Sequence, residues 1–267
     1  MRWPTGFLLS AVLTASPLSA QDLQSQRDAY SLKERVPPGQ WLRVRSLKGA
    51  IRVTASNTDN VEIVAVKTWR RGDPQAVRVV TRRSPDGSVL VCALWTENTT
   101  CTDNSYTVRG ARGAGASADR SDVQLHFDIR VPKGVKVGVW TVNGDVAVEG
   151  VTSDVSAGAN NGNVTAVSTG GLVRANSVNG SVHASMTRFS GNEDLAITTT
   201  IGSVIVDFLE DINANIDLST TTGMFRSDWP VTITGRIEPR RLRAIVGKGG
   251  AKLRLATVYG DVELRKH

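Results

Sequence analysis

The stretch Val142-Asn143-Gly144-Asp145-Val146 decides the fold, because the chain repeats it. The same phrase returns as Asn160-Asn161-Gly162-Asn163-Val164 and as Val178-Asn179-Gly180-Ser181-Val182, with the glycines 18 residues apart each time. Looser copies follow around Gly202, Gly223 and Gly260. A fixed period of about 20 residues is typical of a solenoid, in which structural repeats stack on one another.

Each repeat begins with a corner. Asn-Gly is well suited to positive φ angles, because glycine has no Cβ to clash and asparagine tolerates the left-handed region. The sequence therefore predicts structural corners at Asn143, Gly144, Asn161, Gly162, Asn179, Gly180, Gly202, Gly223 and Gly260.

A strand follows each corner. An apolar residue lies two positions after each of these glycines, and in most copies another follows two positions later. Alternation of period 2 indicates a strand with one buried face. Consecutive copies are predicted to stack about 4.8 Å apart, with Val146, Val164 and Val182 in one inward column. Antiparallel hairpins are the alternative, because Asn-Gly is also a strong hairpin signal, but the constant spacing and phase favour stacked coils.

Length and composition are consistent with a globular fold. The chain has 267 residues, of which 40% are hydrophobic and 21% are charged, as in a globular protein. The predicted fold is all-β: a parallel β-solenoid-like stack of about 20-residue coils with an N-terminal β cap or sandwich-like portion. A single domain is expected over residues 40–267, comprising an N-terminal β portion (40–106), a flexible loop (107–121) and the repeat solenoid (122–267).

The first twenty residues have the pattern of a secretory signal peptide. Arg2 provides a positive n-region, residues 7–15 are apolar, and Leu18-Ser19-Ala20 offers a small residue at the cleavage site. Residues 21–39 are predicted to form a polar N-terminal arm. No later stretch approaches 18 apolar residues, so no transmembrane segment is predicted. The expected location is the periplasm or the cell surface.

The predicted export bears on the state of the two cysteines, because exported proteins fold in an oxidising compartment. Cys92 and Cys101 are predicted to form a disulfide, which is the default for a cysteine pair in an oxidising compartment. The spacing does not match the Cys-x-x-Cys pattern of redox sites, and no histidine lies near either cysteine in sequence to suggest a metal site.

Candidate catalytic groups are sparse. The residue after each corner glycine begins as Asp145 but loses its charge in the next coil, so no carboxylate ladder or calcium site accumulates. His126 and Asp128 share one face of a strand, where alternation explains them as solvated residues. The one acidic cluster is interpreted as a solvated turn: Asp207, Glu210, Asp211 and Asp217. No catalytic residue, no metal site and no cofactor is predicted.

Two segments resemble nucleic-acid-binding sequences. Residues 245–253 contain a Gly-x-x-Gly-like run, which in RNA-binding KH domains lies between two helices. Residues 108–120 are rich in Gly, Ala and Arg. Because the first run leads into a strand pattern and because export separates the protein from RNA, no nucleic-acid partner is expected.

Two segments resemble the signature of the bacterial putative-adhesin β-strand-repeat family. They are Val131-Pro132-Lys133-Gly134 and, after it, Val142-Asn143-Gly144-Asp145-Val146. The resemblance covers about residues 40–265 and is strongest over residues 129–206. It implies an exported, β-solenoid-like domain of unknown function with no established catalytic residues. The irregular spacing after Gly202 and an insertion at residues 226–249 depart from the pattern.

Charge is distributed unevenly. Residues 21–139 contain 19 Lys and Arg against 12 Asp and Glu, residues 140–220 contain 2 against 9, and residues 221–267 contain 10 against 4. One interpretation is that the basic ends prevent end-to-end stacking of open sheets, and the alternative is that they attract anionic envelope polymers. The expected function is an exported, non-catalytic envelope or surface scaffold that binds an anionic glycan or another envelope protein. The alternatives are a β-helix polysaccharide-active enzyme and a purely structural assembly module.

Overall fold

Strands dominate the computed structural model, which describes residues 29–108, 121–189, 193–236 and 238–267. The predicted signal peptide lies outside these ranges, as do residues 21–28 of the predicted arm and 109–120 of the predicted loop. The short 3-10 turn Pro74–Ala76 is the one helical element in the described ranges. The strands are β1 Ala29–Glu34, β2 Trp41–Lys48, β3 Ile51–Ser56, β4 Val61–Thr68, β5 Arg78–Arg83, β6 Val89–Leu94, β7 Thr99–Cys101, β8 Tyr106–Val108, β9 Gln124–Pro132, β10 Lys136–Asn143, β11 Val146–Val151, β12 Val155–Asn161, β13 Val164–Ser168, β14 Val173–Asn179, β15 Val182–Met186, β16 Leu195–Thr198, β17 Val204–Phe208, β18 Ala214–Ser219, β19 Phe225–Ser227, β20 Val231–Ile233, β21 Arg241–Val246, β22 Lys252–Ala256 and β23 Val262–Lys266.

Two large sheets contain nearly all of these strands. Sheet A has the order β1-β4-β9-β3-β11-β13-β15-β17-β23-β19. Sheet B has the order β20-β21-β18-β22-β16-β14-β12-β10-β2-β6-β5. The hairpin β7-β8 forms a separate small sheet. Apolar residues from both large sheets share one continuous hydrophobic core between them.

Each coil of the stack contributes one strand to each sheet. Among the described residues the coils are β6/β9, β2/β3, β10/β11, β12/β13, β14/β15, β16/β17, β22/β23 and β18/β19, in that order along the stack. Neighbouring coils pair in parallel in both sheets. The predicted all-β, parallel solenoid-like fold is therefore confirmed, and the hairpin alternative does not apply to the repeats.

The predicted inward column exists. Val146, Val164 and Val182 stand opposite one another in register, and each is at most 1% exposed. The column continues through Ile51 on one side and Val204 on the other, so the core runs without a break along the stack. Removing a valine side chain from water stabilises the fold by about 1.5–3 kcal/mol, and this gain repeats at every coil.

The order of the coils departs from the order of the chain at both ends. The coil β6/β9 lies outside β2/β3, and the C-terminal coil β22/β23 lies between β16/β17 and β18/β19. The insertion predicted at residues 226–249 contains β20 and β21, which pair antiparallel beside β18 and let the chain turn back. The strand order therefore requires contacts between residues distant in sequence, which slow folding.

The N-terminal portion provides both a cap and part of the stack. Strands β4 and β1 extend sheet A antiparallel, and β5 extends sheet B in the same way. Part of the predicted polar arm thus forms the edge strand β1, whose Tyr30 hydroxyl lies 2.6 Å from the Thr81 hydroxyl of β5. Strands β2, β3 and β6 pair in parallel with the repeats or with each other, so the solenoid starts at Trp41 and not at residue 122.

The corner glycines form a column of their own. Their φ angles lie between 120° and 157° at Gly49, Gly144, Gly162, Gly180, Gly202, Gly223 and Gly260. From Gly49 onward, each corner glycine donates its N–H to a carbonyl oxygen of the next coil at 2.8–2.9 Å. The carbonyl belongs to the residue immediately before the corner glycine of that coil. A Cβ built on Gly202 would lie 2.4 Å from the carbonyl oxygen of Gly180, so the backbones are too close for any side chain.

We expect Gly202→Ala to lower the free energy of unfolding by about 3 kcal/mol or more, because the new Cβ overlaps the neighbouring coil. Gly235→Ala is the matched control, since Gly235 also has a positive φ of 77° but has nothing within 4 Å of a built Cβ. That control should cost about 1–2 kcal/mol. Urea unfolding of the three proteins measures the difference, and equal losses in both variants would contradict close packing at the corner.

Candidate binding surface

The predicted corner asparagines are hydrogen-bonded to one another along one edge of the stack. The Asn161 side-chain amide donates to Asn143 Oδ1 at 2.8 Å, and the Asn179 amide donates to Asn161 Oδ1 at 2.7 Å. The amides therefore hold successive coils in register.

Buried hydroxyls support the corners from inside, and the sequence interpretation missed them. Each belongs to a Ser or Thr three residues before a corner glycine, and each donates to the glycine carbonyl of the neighbouring coil at 2.7–3.2 Å: Thr141, Ser177, Thr199, Thr220 and Thr257. The equivalent Ser46 hydroxyl is buried without a partner among the described residues, because its neighbouring coil β6/β9 has no corner glycine. A Ser or Thr recurring at this offset is a signal that the sequence does contain.

The residues that follow the corner glycines form a second ladder. Asp145 Oδ1 accepts from the Asn163 N–H at 2.8 Å, and Asn163 Oδ1 accepts from the Ser181 N–H at 2.9 Å. The ladder continues through Ser203 to Asp261, whose Oδ1 accepts from the Met224 N–H. The corners thus use their polar groups to join coils.

The acidic cluster of the sequence is dispersed in the structure. Asp207 lies on sheet A and Asp217 lies on sheet B, and both carboxylates are buried rather than solvated, at 5% and 6% exposed. Asp211 is exposed and forms an ion pair with Lys266 at 2.8 Å. Glu210 lies in the connection after β17. Because these carboxylates are on different faces, they do not share a site.

The two histidines that lie in strands, His126 and His183, both contact polar groups of neighbouring strands. His183 Nε2 lies 2.5 Å from Asp207 Oδ2 on the outer face of sheet A. Ser185 stands opposite Asp207 in register, and no hydrogen bond joins it to His183 among the described contacts. The His126 ring accepts at Nδ1 from the Ala50 N–H at 3.3 Å and contacts the Thr68 hydroxyl with Nε2.

A disulfide-bonded hairpin covers part of sheet B. Cys92 of β6 is bonded to Cys101 of β7, with their Cα atoms 6.2 Å apart. Tyr106 of β8 donates its hydroxyl to the Ala93 carbonyl at 2.6 Å, and burial raises the pKa of Tyr106. The Arg45 guanidinium donates to the Asp103 carbonyl, and burial lowers its pKa to about 10.

Beside this hairpin lies a surface of aromatic and basic side chains, here called the tryptophan surface. It comprises Trp41, Arg43, Lys136 and Trp140. Arg43 Cζ and Lys136 Nζ lie 4.8 and 5.7 Å from the Trp41 ring centroid. Trp140 contacts Tyr106 with ring centroids 5.9 Å apart. Both tryptophans are only partly buried, so the surface combines apolar rings with cations at the solvent boundary.

Two glycines of sheet B lie close to these rings. A Cβ at Gly138 would lie 3.6 Å from a ring carbon of Trp41, and a Cβ at Gly158 would lie 2.8 Å from a ring carbon of Trp140. The indoles thus cover positions that lack side chains, as aromatic residues do over glycines in sheets.

From Trp140 a row of small and polar residues crosses sheet B, here called the outer track. Its members stand opposite one another in successive strands: Gly158, Asn176, Thr198, Ala256 and Ser219. Arg241 follows Ser219 in register. Six strand spacings of about 4.8 Å separate Trp140 from Arg241, so the track is about 29 Å long. No large side chain interrupts it.

No group of three or more His, Cys, Asp or Glu side chains is arranged to hold a metal ion in the described part of the chain. No helix within the described residues is long and apolar enough to cross a membrane.

The chain is thus a two-sheet parallel β-solenoid whose polar corners join coils. It belongs to the Toastrack DUF4097 family, whose model matches residues 80–265. The resemblance to a β-strand-repeat family of unknown function, inferred from the sequence, is therefore confirmed.

Solved structures with a similar chain course include two from bacteria. A putative cell adhesion protein from Clostridium sporogenes is 9% identical, with a TM-score of 0.49, and the match covers 90% of this chain and 100% of that one. A putative adhesin from Bacteroides fragilis is 14% identical, with a TM-score of 0.39, and the match covers 89% and 97%. A search of curated proteins returned no match.

We expect Cys92→Ala/Cys101→Ala to lower the free energy of unfolding by about 2–3 kcal/mol, because the short disulfide loop no longer restricts the unfolded chain. Loss of the bond should also loosen the hairpin over Trp140, which tryptophan fluorescence measures. Reduction of the wild type should reproduce the spectral change and should leave the double variant unchanged. A wild-type spectrum that is insensitive to complete reduction would contradict this role of the hairpin.

Acid should weaken the fold through Asp217. Hydrogen bonds from Arg241 at 2.8 and 2.6 Å hold the pKa of Asp217 below its usual value, and Lys252 lies 3.4 Å away. Because the folded-state pKa is depressed, ionised Asp217 stabilises the fold above about pH 4 and loses this effect as the pH falls through the folded-state pKa. Asp217→Asn should therefore be less stable at pH 7 and lose less stability on acidification. Parallel stability curves for the two proteins from pH 7 to pH 2.5 would be the contrary result.

Proposed function

We propose that this protein is an exported, non-catalytic binding scaffold of the cell envelope, and that it holds an extended glycan along the outer track. The outer track is the observation that carries the proposal. It is a row about 29 Å long with an aromatic ring at one end and arginines at the other, and its extended form suits a polymer.

The chemistry of the track suits a sugar chain. Trp140 offers an amphipathic ring of the kind enriched at binding interfaces. Asn176 provides an amide that can both donate and accept hydrogen bonds, and Thr198 provides a hydroxyl that does the same. Asn176 is exposed and Thr198 is partly exposed. Many weak contacts along a rigid sheet suit recognition of a repeating ligand.

The arrangement of carboxylates favours binding over hydrolysis. Glycoside hydrolases place two carboxyl groups about 5–9.5 Å apart on either side of one bond. Here Asp207 faces out of sheet A and is bonded to His183, while Asp217 faces out of sheet B and is bonded to Arg241. Two groups on opposite outer faces cannot flank one substrate.

The signal-peptide pattern of residues 1–20 and the family resemblance support export to the periplasm or the cell surface. N-terminal sequencing of the mature protein from fractionated cells tests this step. A mature chain that begins near Gln21 in the envelope or medium supports export, and an intact Met1 in the cytoplasm contradicts it.

Purified protein should bind an envelope polysaccharide and release no new reducing ends. Trp140→Leu should weaken binding by about tenfold, because a stacking ring is replaced by an aliphatic group of lower affinity for sugars. Trp69→Leu is the matched control, since Trp69 is also partly buried and lies in the loop after β4 of sheet A. Glycan arrays and calorimetry provide the readout.

Three results would replace the proposal. Cleavage of a polysaccharide that is abolished by Asp207→Asn or Asp211→Asn would establish the enzyme alternative. Capture of one envelope protein without any glycan binding would establish a protein partner. Assembly into a larger envelope complex, seen by size-exclusion chromatography, without either activity would establish a structural module.

A further inference from the structure

The far end of the outer track opens into a groove of about 530 Å³, here called the arginine groove. Its floor is formed by Thr198, Ala256 and Ser219, and Arg240 and Arg254 line its sides. We propose that the arginine groove binds the oxyanion, a carboxylate or a phosphate, of an acidic polysaccharide. This assignment rests on the glycan-binding function proposed above and identifies the class of glycan.

The two arginines are available for a ligand. Both side chains are exposed, and neither forms an ion pair with a described residue. Asp217 stands opposite Arg254 in register, but Arg241 and Lys252 already bind its carboxylate. Arg254 therefore lies beside a carboxylate that is already neutralised.

The surroundings of the groove carry excess positive charge. Five cations lie on this end of sheet B, namely Arg240, Arg241, Arg243, Lys252 and Arg254, against three carboxylates, Asp194, Asp217 and Glu238. The difference is two positive charges. Such a field concentrates anionic polymers near the surface and accelerates their association.

Hydroxyl groups complete the site. Thr198, Ser219 and Thr221 line the groove, and none of these hydroxyls is hydrogen-bonded to another described residue. They contrast with five buried hydroxyls beneath the corners, which donate to glycine carbonyls: Thr141, Ser177, Thr199, Thr220 and Thr257. Arginine binds carboxylate and phosphate through paired, charge-assisted hydrogen bonds, and free hydroxyls beside it can donate to the remaining oxygens. Ala256 leaves the space in which the anion would lie.

Protection of an open sheet edge does not explain this charge. Exposed edges are often lined with basic residues that prevent association of sheets. Arg254, however, lies on β22, which is separated from the edge strand β20 by β18 and β21. A cation that far inside the sheet guards no edge, so its position favours a ligand.

Binding to defined polymers tests the assignment. Polygalacturonate carries carboxylates, phosphomannan carries phosphates, and dextran is neutral. Wild-type protein should bind at least one of the two acidic polymers, and which one it prefers identifies the oxyanion. Arg240→Gln/Arg254→Gln should weaken that binding by about tenfold or more, because two charge-assisted contacts are lost.

A matched control separates site binding from general attraction. Arg70→Gln/Arg78→Gln removes the same two charges from exposed positions away from the groove, and it should change the affinity by less than about twofold. Thr198→Val/Ser219→Ala should weaken binding several-fold without any change in charge. Circular dichroism confirms folding of each variant.

The outcomes distinguish the groove from the wider proposal. Equal losses in the groove and control variants, or no binding of either acidic polymer by the wild type, would overturn the arginine groove. If the protein still bound a neutral envelope glycan in a Trp140-dependent manner, the proposed scaffold function would stand. If it bound no glycan at all, both would fail.

Discussion

Direct backbone contact at the corners is the constraint on which the rest of the structure depends. The corner of each coil lies against the corner of the next so closely that a Cβ would have no space, and glycine is the residue without one. The glycine N–H bonds that result fix the coil spacing and the register together. Once the corners are aligned, the valine columns, the asparagine amides and the buried hydroxyls all follow in register.

This constraint also decides where a function can reside. Inward positions are filled by apolar side chains, and corner positions are occupied by hydrogen bonds between coils. Outward positions on the two sheets remain, and they differ. On sheet A, His183 and Asp207 satisfy each other. Sheet B carries two partly exposed tryptophans, and its arginine groove contains Arg240 and Arg254, which form no ion pair with a described residue. The register of the stacked strands in sheet B aligns outward side chains across the sheet, which makes a long binding row available.

Much of the fold could be predicted because the repeat has a local origin. The dipeptide Asn-Gly marks a corner, and alternation marks a strand, so Gly144, Gly162 and Gly180 could be placed from sequence alone. Gly49 was missed because Lys48 and Ala50 surround it instead of asparagine and aspartate. The insertion of the C-terminal coil between two earlier coils was also missed, since strand order depends on long-range pairing that no local pattern encodes.

The candidate surface could be predicted only in part, for the same reason. Basic charge near the C-terminus was evident in the sequence, and the cysteines predicted as a pair are joined in the structure. The outer track was not evident, because Trp140, Thr198 and Ser219 become neighbours only through the register of strands distant in sequence. The acidic cluster was wrongly expected to stay together. Its members are close in sequence, but the fold places Asp207 on sheet A and Asp217 on sheet B.

Amide hydrogen exchange at the corner glycines, resolved by residue with NMR, tests the central claim most directly. If the corners bind successive coils together, the N–H groups of Gly144, Gly162, Gly180 and Gly202 should be protected as strongly as those of the inward valines, although they lie at turns near the surface. Exchange of these amides at the rates of ordinary exposed turns, with protection confined to the strands, would contradict the account.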